Sequence, residues 1–177
     1  GPAFFMSKTE VTNGEYRKCV ESCIAKWMKE NRPEIAQKYK WDSPEYVHAV
    51  QVWLKSSSEA SGASGAERLL LLLAPAANWG ELYMRKLDWG KITYQGESIY
   101  PNTQVWISDF QMSYNEPMRD YYFVHPAYSD YPVVGVSYLQ ATLYCQWYSA
   151  ETGQKEKEDY RIVYRLPSEV EWERAAS

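Results

Sequence analysis

The sequence predicts an α+β domain that is rich in irregular structure. Three segments carry apolar residues at the spacing of a helix face, and each opens with a Ser/Thr-x-x-Glu/Gln capping box. Short runs of β-branched residues lie close to these helices and favour strands. The 177 residues suffice for one domain with a real core, or for one domain with a long insertion.

The first helix is predicted to follow a short edge strand, the weakly alternating run FFMSK at residues 4–8. Thr12 and Glu15 form a capping box, in which each side chain satisfies a backbone N–H of the other residue. The helix is predicted to end before Pro33, which cannot continue it. The predicted apolar face consists of Tyr16, Cys19, Val20, Cys23, Ile24 and Trp27.

A second helix is predicted after Ser43, a suitable N-cap, with Pro44 at its first position. Residues 58–78 continue a low-complexity stretch of Ser, Gly and Ala and are expected to be flexible or poorly defined. Within this region ERLLLLLA, at 67–74, favours a short buried helix. The predicted apolar stripe of the second helix is Tyr46, Val47, Val50, Trp53 and Leu54.

Residues 79–131 are dense in Trp, Tyr, Asp and Asn, with little periodicity. The run TQVWIS at 103–108 is predicted to be a strand. Residues 114–131 contain NEP and HP steps, which restrict the residue before each proline to extended or turn conformations. We therefore expect a long, ordered loop held together by aromatic side chains, and such loops are often functional.

The clearest unit is YPVVGVSYLQATLYCQWYSAETG at 131–153. The valines of 133–136 predict a buried strand, in which Gly135 marks a close approach of another backbone. Ser137 and Gln140 form the second capping box, and Gly153 is a suitable stop for the helix. The predicted helix face is Leu139, Leu143, Tyr144 and Trp147.

The last segment is predicted to be a strand followed directly by a helix. RIVYRL at 161–166 is the strand, and Ser168 with Glu171 forms the third capping box. Arg165 is expected to pair with one of the glutamates that follow it.

Composition excludes several classes of function. The net charge of −4 and the absence of a basic cluster argue against nucleic-acid binding. The longest uncharged apolar run, LLLLLAPAA, is far shorter than the roughly 20 residues of a membrane span. The N-terminus lacks the features of a signal peptide, so the chain is either cytosolic or has lost its targeting segment.

Three stretches resemble the signature segments of the formylglycine-generating enzyme (sulfatase-modifying factor) family, in the family's order. They are MSKTEVTNGEYRKCV, YPVVGVSYLQATLYCQWYS and YRLPSEVEWERAA. The family patterns match Glu10–Asn13 with Tyr16, then Pro132–Trp147, then Arg165–Ala176. This resemblance implies the α+β formylglycine-generating-enzyme fold, which is related to the C-type lectin fold.

A narrower resemblance involves IYPNTQVWISDFQMSYNEPMRDYYFVHPAYSDYPVVGV together with KLDW at Lys86–Trp89. These segments are similar to the GldK/PorK lipoproteins of gliding motility and type IX secretion in Bacteroidetes. Together the two resemblances cover residues 3–57 and 86–177. They imply a domain over 3–177 with an insertion at about 58–131, of which 86–131 is the aromatic GldK-type part.

The resemblance also implies that the domain is incomplete. In the family, a G-G-x-F-x-M-G strand precedes the FFMSK run, and the R-L-P-S-E-x-E-W-E helix lies near the middle of the domain. The stretch with the catalytic cysteine pair and the calcium ions of the enzymes comes later. We therefore expect a fragment that lacks its C-terminal part and an opening strand.

The resemblance gives the cysteines and histidines no catalytic role in this chain. Enzymes of the family oxidise a substrate cysteine with copper held by two thiolates, and a related branch uses non-haem iron held by His side chains. Cys19 and Cys23 are predicted to be buried small hydrophobes, and Cys145 matches a core cysteine of the family. His48 and His125 are far apart in sequence, and His125 is expected to be a hydrogen-bonded structural residue.

The acidic triplet of the last helix has a structural interpretation as well. Glu169, Glu171 and Glu173 lie where acidic side chains cap a helix and favour its dipole. Trp147 and Trp172 are predicted to be core residues.

The resemblance implies a non-catalytic structural subunit of the type IX secretion and gliding apparatus. It would be a lipoprotein at the periplasmic face of the outer membrane, with its lipid anchor outside this chain. It would form a ring with itself and with a second subunit of the GldN/PorN kind, and contact other secretion-system components. No catalytic residue, cofactor, metal or nucleic acid is expected. The expected partner-binding residues are Trp89, Tyr100, Trp106, Tyr114, Asn115, Glu116, Tyr121 and Tyr122.

Two alternatives remain open. The chain could be part of a formylglycine-generating oxidase or a non-haem iron sulfoxide synthase whose catalytic residues lie downstream. It could also be a glycan- or peptide-binding module that uses its Tyr and Trp side chains. For Asn115 and Glu116, binding of a cation or of a partner backbone stands beside a role in stapling the loop.

Overall fold

A computed structural model describes residues 4–40, 43–46, 48, 49, 52, 92–108, 114–153 and 162–176. The chain divides into two compact units, Val20–Ser98 and Gly1–Cys19 with Ile99–Ser177. The elements are α1 Asn13–Asn31, α2 Pro33–Ala36, β1 Thr93–Tyr94, β2 Glu97–Ser98, α3 Val105–Ser108, α4 Glu116–Tyr121, a 3₁₀ turn Pro126–Tyr128, α5 Tyr138–Gly153 and α6 Glu169–Ala176.

Helix α1 begins with the predicted capping box. The backbone N–H of Thr12 donates to Glu15 Oε2 at 2.9 Å, and the N–H of Glu15 donates to Thr12 Oγ1 at 3.2 Å. The predicted apolar face is buried except at Trp27, which is half-buried, and the fully buried Met28 extends it. The helix ends at Asn31 as predicted, and the proline two residues later opens the short helix α2.

The unit Val20–Ser98 contains an antiparallel hairpin of β1 and β2. Its two-residue turn, Gln95–Gly96, has φ angles of 52° and 87°, which suit the right-handed twist of the flanking strands. The N-cap at Ser43 is confirmed, because its Oγ accepts the N–H of Tyr46 at 3.2 Å. Residues 44–46, 48, 49 and 52 are helical, and Tyr46 is buried. The predictions for Val47, Val50, Trp53, Leu54, residues 58–78 and Lys86–Trp89 lie outside the described residues.

The other unit contains the clearest predicted helix, α5. Ser137 and Gln140 cap it as predicted, with hydrogen bonds of 2.9 and 3.2 Å. Gly135 makes the close approach predicted for it, since its carbonyl accepts the N–H of Asn102 at 2.8 Å. Leu143, Tyr144 and Trp147 are buried on α5, whereas Leu139 is exposed.

The four strands predicted at 4–8, 103–108, 133–136 and 161–166 are not formed among the described residues. A strand needs a partner at ladder distance, and the only pairing near these segments within the described ranges is an isolated bridge between Thr12 and Pro132. The valines of 133–136 are half-buried rather than buried.

The run TQVWIS instead contains helix α3. Asn102 starts this turn, because its Oδ1 accepts the N–H of Gln104 at 3.1 Å and its carbonyl accepts the N–H of Val105 at 3.4 Å. A local side-chain hydrogen bond therefore overrides the β propensity of Val105, Trp106 and Ile107.

Helix α6 begins at its predicted capping box, in which the N–H of Ser168 donates to Glu171 Oε2 at 2.9 Å. Arg165 forms the expected ion pair with Glu171. The prediction of a buried Trp172 is wrong, because this side chain is 60% exposed and α6 has no buried residue. Among the described helices, none combines the length and the apolar character that crossing a bilayer requires.

Candidate functional site

A cluster of aromatic rings surrounds Tyr122 and forms the candidate site. The ring centroids of Trp106, Tyr128 and Tyr131 lie 4.7, 5.2 and 6.5 Å from that of Tyr122. The Tyr122 hydroxyl donates to the carbonyl of Pro132 at 2.8 Å, so the buried ring also has its polar group satisfied. We call Trp106, Tyr122, Tyr128 and Tyr131 the aromatic cluster.

A second group of rings consists of Tyr16, Tyr100, Phe123 and Tyr144. Tyr16 stacks on Tyr144 at 5.3 Å and meets Phe123 edge-on at 6.1 Å. Phe123 in turn meets Tyr100 edge-on at 5.3 Å. The hydroxyl of Tyr16 donates to the carbonyl of Ile99 at 2.8 Å. These contacts join α1 and α5 to the segment that leads into α3.

The first turns of α1 hold the segment 122–131 in place. Asn13 is fully buried, and its Nδ2 donates to the carbonyls of Tyr122 and Tyr128 at 3.2 and 2.9 Å. Arg17 donates from Nη1 to the carbonyl of Val124 at 2.7 Å and from Nη2 to Ser129 Oγ. The backbone that carries Tyr122 and Tyr128 is therefore fixed by side chains more than 100 residues away in sequence.

Tyr122 and Tyr144 are buried, and loss of contact with water has the largest effect on the pKa values of their phenol groups. Burial raises the pKa of Tyr122 and raises the pKa of Tyr144 more strongly, so both phenols stay neutral. Burial also raises the pKa of the Cys145 thiol, which disfavours the nucleophilic thiolate. At neutral pH these three groups therefore pack as neutral side chains.

The structure places the predicted partner-binding residues in three settings. Trp106 and Tyr122 belong to the aromatic cluster, and Tyr100 belongs to the second ring group. Tyr114 is 90% exposed and has a left-handed backbone with φ 50°. Tyr121 ends α4 with its side chain partly exposed.

The remaining predicted residues contribute less. Asn115 precedes α4, where its backbone carbonyl accepts the N–H of Met118 at 2.9 Å and its side chain makes no capping hydrogen bond to the helix, so its role in stapling the loop stays a prediction. Glu116 is the first residue of α4, and its side chain is not among those that the structure describes. Trp89 falls outside the described residues.

Sequence reasoning did not single out Tyr128, Tyr131, Asn13 or Arg17 as parts of this site. The spacing of the two tyrosines was an available signal, since residues three apart around a short turn lie on the same side. No local signal marks Asn13 or Arg17, because their partners come from a distant segment.

The cysteine and histidine side chains that could act as nucleophiles or metal ligands have structural settings instead. Cys19 and Cys23 are free thiols and buried, as predicted. His125 is hydrogen-bonded as expected, since its Nδ1 accepts the N–H of Ala127 at 3.2 Å and opens the 3₁₀ turn. In the part of the chain that the structure describes, no three His, Cys, Asp or Glu side chains lie together as a metal site requires.

The last helix carries an ion pair at its start. Arg165 forms a two-pronged pair with Glu171, with N–O distances of 2.6 and 2.7 Å. The hydrogen bond from Arg165 lowers the pKa of Glu171 to about 2, helped by the bond from the Ser168 backbone. Glu171 is thereby confirmed as a capping residue.

The described elements make up a mixed domain of helices with a small antiparallel sheet, compatible with the α+β class. Comparison with protein families then shows which α+β domain it is: the chain belongs to the sulfatase-modifying factor enzyme 1-like domain family, whose model matches residues 2–177. Comparisons with curated proteins and with solved structures gave no match.

Proposed function

We propose that this chain acts as a non-catalytic structural subunit that binds protein partners through its aromatic segment. In this proposal it belongs to the type IX secretion and gliding apparatus, at the periplasmic face of the outer membrane, and assembles with a second subunit of the GldN/PorN kind. The similarity of residues 86–131 to GldK/PorK lipoproteins supports this assignment. The proposal includes the C-type-lectin-related form of the fold.

The observation that carries the proposal is Tyr114. A non-glycine residue with φ 50° is uncommon and costs conformational energy, and such residues cluster at functional sites. Here the strained residue presents a large ring that is 90% exposed. Tyrosine is one of the residue types over-represented among those that dominate protein interfaces.

The rigidity of the neighbouring segment supports the same conclusion. Tyr122 and Tyr128 lie on backbone that Asn13 fixes by two hydrogen bonds, and Tyr131 of the same cluster is 55% exposed. A pre-ordered surface loses little entropy when a partner binds, which favours affinity.

The experiment is co-expression of this chain with a GldN/PorN-type subunit, followed by light scattering of the purified complex. Tyr114→Ser is expected to weaken the complex by about tenfold or more, as for a central interface residue. Tyr138→Ser is the matched control, because Tyr138 is 80% exposed but lies at the start of α5. The proposal would be rejected if no complex forms, or if the two variants weaken it equally. If the chain binds glycans and no protein subunit, a carbohydrate-binding module would be favoured instead.

A further inference from the structure

We propose that residues 162–166 form an exposed strand edge that pairs, antiparallel, with the same segment of a second copy of this chain. The segment lies outside the aromatic cluster, and the inference does not depend on the function proposed above. It starts from the finding that the predicted strand at 161–166 has β character but no neighbouring strand among the described residues.

The orientation of the backbone N–H and C=O groups of Tyr164 shows that residues 162–166 are extended as in a strand. Its N–H donates to Ser149 Oγ at 2.8 Å, and its carbonyl accepts from the same hydroxyl at 3.3 Å. Both backbone groups therefore point to one side, as they do in a strand, and residues 162–168 run without a turn or a bend. Ser149 on α5 thus occupies one edge of the segment.

The opposite edge has no hydrogen-bond partner among the residues that the structure describes. Because backbone groups alternate along a strand, the N–H and C=O groups of Val163 and Arg165 point away from Ser149. Neither residue's backbone makes a hydrogen bond within the part of the chain that the structure describes. Val163 is 64% exposed, and Pro167 limits the edge to these two residues. An exposed pair of this kind is a template for strand addition.

A second copy fits this edge because the segment is self-complementary. With Tyr164 on the two-fold axis, Val163 lies opposite the second copy's Arg165, and all four N–H groups of the two edges meet carbonyls. Ile162 then lies opposite Leu166, an apolar pair. The guanidinium of Arg165 is already neutralised by Glu171 at 2.6 Å, so two copies approach without repulsion at this position.

Sedimentation velocity over a concentration series tests the dimer. The unmodified chain is expected to shift from monomer to dimer, and Val163→Pro, which removes one N–H from each edge, is expected to weaken dimerisation by about tenfold or more. Val170→Lys is the matched control, because Val170 is similarly exposed but lies on α6. A monomer at every concentration, or a dimer that only Val170→Lys disrupts, would overturn the proposal.

Amide hydrogen exchange measured by NMR on the unmodified chain provides a second test that needs no variant. The N–H groups of Val163 and Arg165 are expected to become protected as concentration rises, while those of Ile162 and Leu166 stay fast. Tyr164 serves as an internal reference, because its N–H is bonded to Ser149 in both states. Uniform exchange along 162–166 at all concentrations would contradict strand pairing even if the chain dimerises.

Discussion

Substitution of Gly135 by alanine is expected to cause a large loss of stability, for two reasons that the structure separates. Gly135 has φ +80°, a left-handed conformation that costs an L-residue about 1–2 kcal/mol. A Cβ at this position would also lie 2.9 Å from the carbonyl carbon of Asn102 and closer still to its oxygen. These two backbones are joined by the 2.8 Å hydrogen bond from Asn102, so neither can move away freely.

The expected total for Gly135→Ala is about 2–3 kcal/mol, from the conformational cost and the loss of about 1 kcal/mol when the backbone hydrogen bond is forced apart. Gly96 provides the matched control, because it has φ +87° but no atom within 4 Å of the place that an added Cβ would occupy. Gly96→Ala is therefore expected to cost only about 1–2 kcal/mol.

Urea unfolding of both variants, followed by far-ultraviolet circular dichroism, measures the difference. The reasoning requires Gly135→Ala to be the more damaging substitution by at least about 1 kcal/mol, the value of the hydrogen bond alone. Equal losses for the two variants would refute it, because they would show that the close approach of Asn102 contributes nothing.

Three further outcomes are expected. Asn13→Ala should lower the free energy of unfolding by about 1–3 kcal/mol, because it removes the Asn13 donor to the Tyr122 carbonyl and leaves the Tyr128 carbonyl with the N–H of Tyr131. Asn31→Ala, at an exposed site, should change it by less than about 0.5 kcal/mol, and thermal unfolding compares the two variants. Glu171→Gln should remove a pH dependence of stability, because the pKa of Glu171 is about 2 in the folded chain and ordinarily 4.5. The ion pair with Arg165 therefore stabilises the fold above pH 4.5, and this contribution is lost as the pH falls towards 2. Helix content measured during an acid titration of both proteins will show the difference. Tyr144→Phe should reduce the loss of stability at alkaline pH. The Tyr144 phenol keeps its proton above the ordinary pKa of 10.0 in the folded chain but ionises in the unfolded chain, which favours unfolding. Urea midpoints measured between about pH 9 and 11 will test this.

Several features could be predicted from the sequence because their interactions are local. Each capping box joins residues three apart, so Thr12, Ser137 and Ser168 open their helices as the sequence indicates. The buried face of α1 follows from its helical period alone. Gly135 could be recognised because a glycine among valines indicates a backbone that must pass close by.

Several of the failures share one cause, which is that a strand is defined by a partner that the local sequence does not contain. Residues 162–166 have the composition and the orientation of a strand, yet no strand lies beside them among the described residues. Trp172 sits at a helix position typical of the core, but no described element covers it and it remains exposed. Whether an apolar side chain is buried depends on what packs against it.

The sequence alone thus determined where helices begin, which helix faces turn inward, and to which family the signature segments are similar. The tertiary structure decided which rings meet, because the aromatic cluster depends on Asn13 and Arg17 contacting a segment more than 100 residues away. Hydrogen bonds between neighbours in sequence form at little entropic cost and are visible in the pattern. Contacts between distant segments require the whole chain to fold, and only the folded chain shows them.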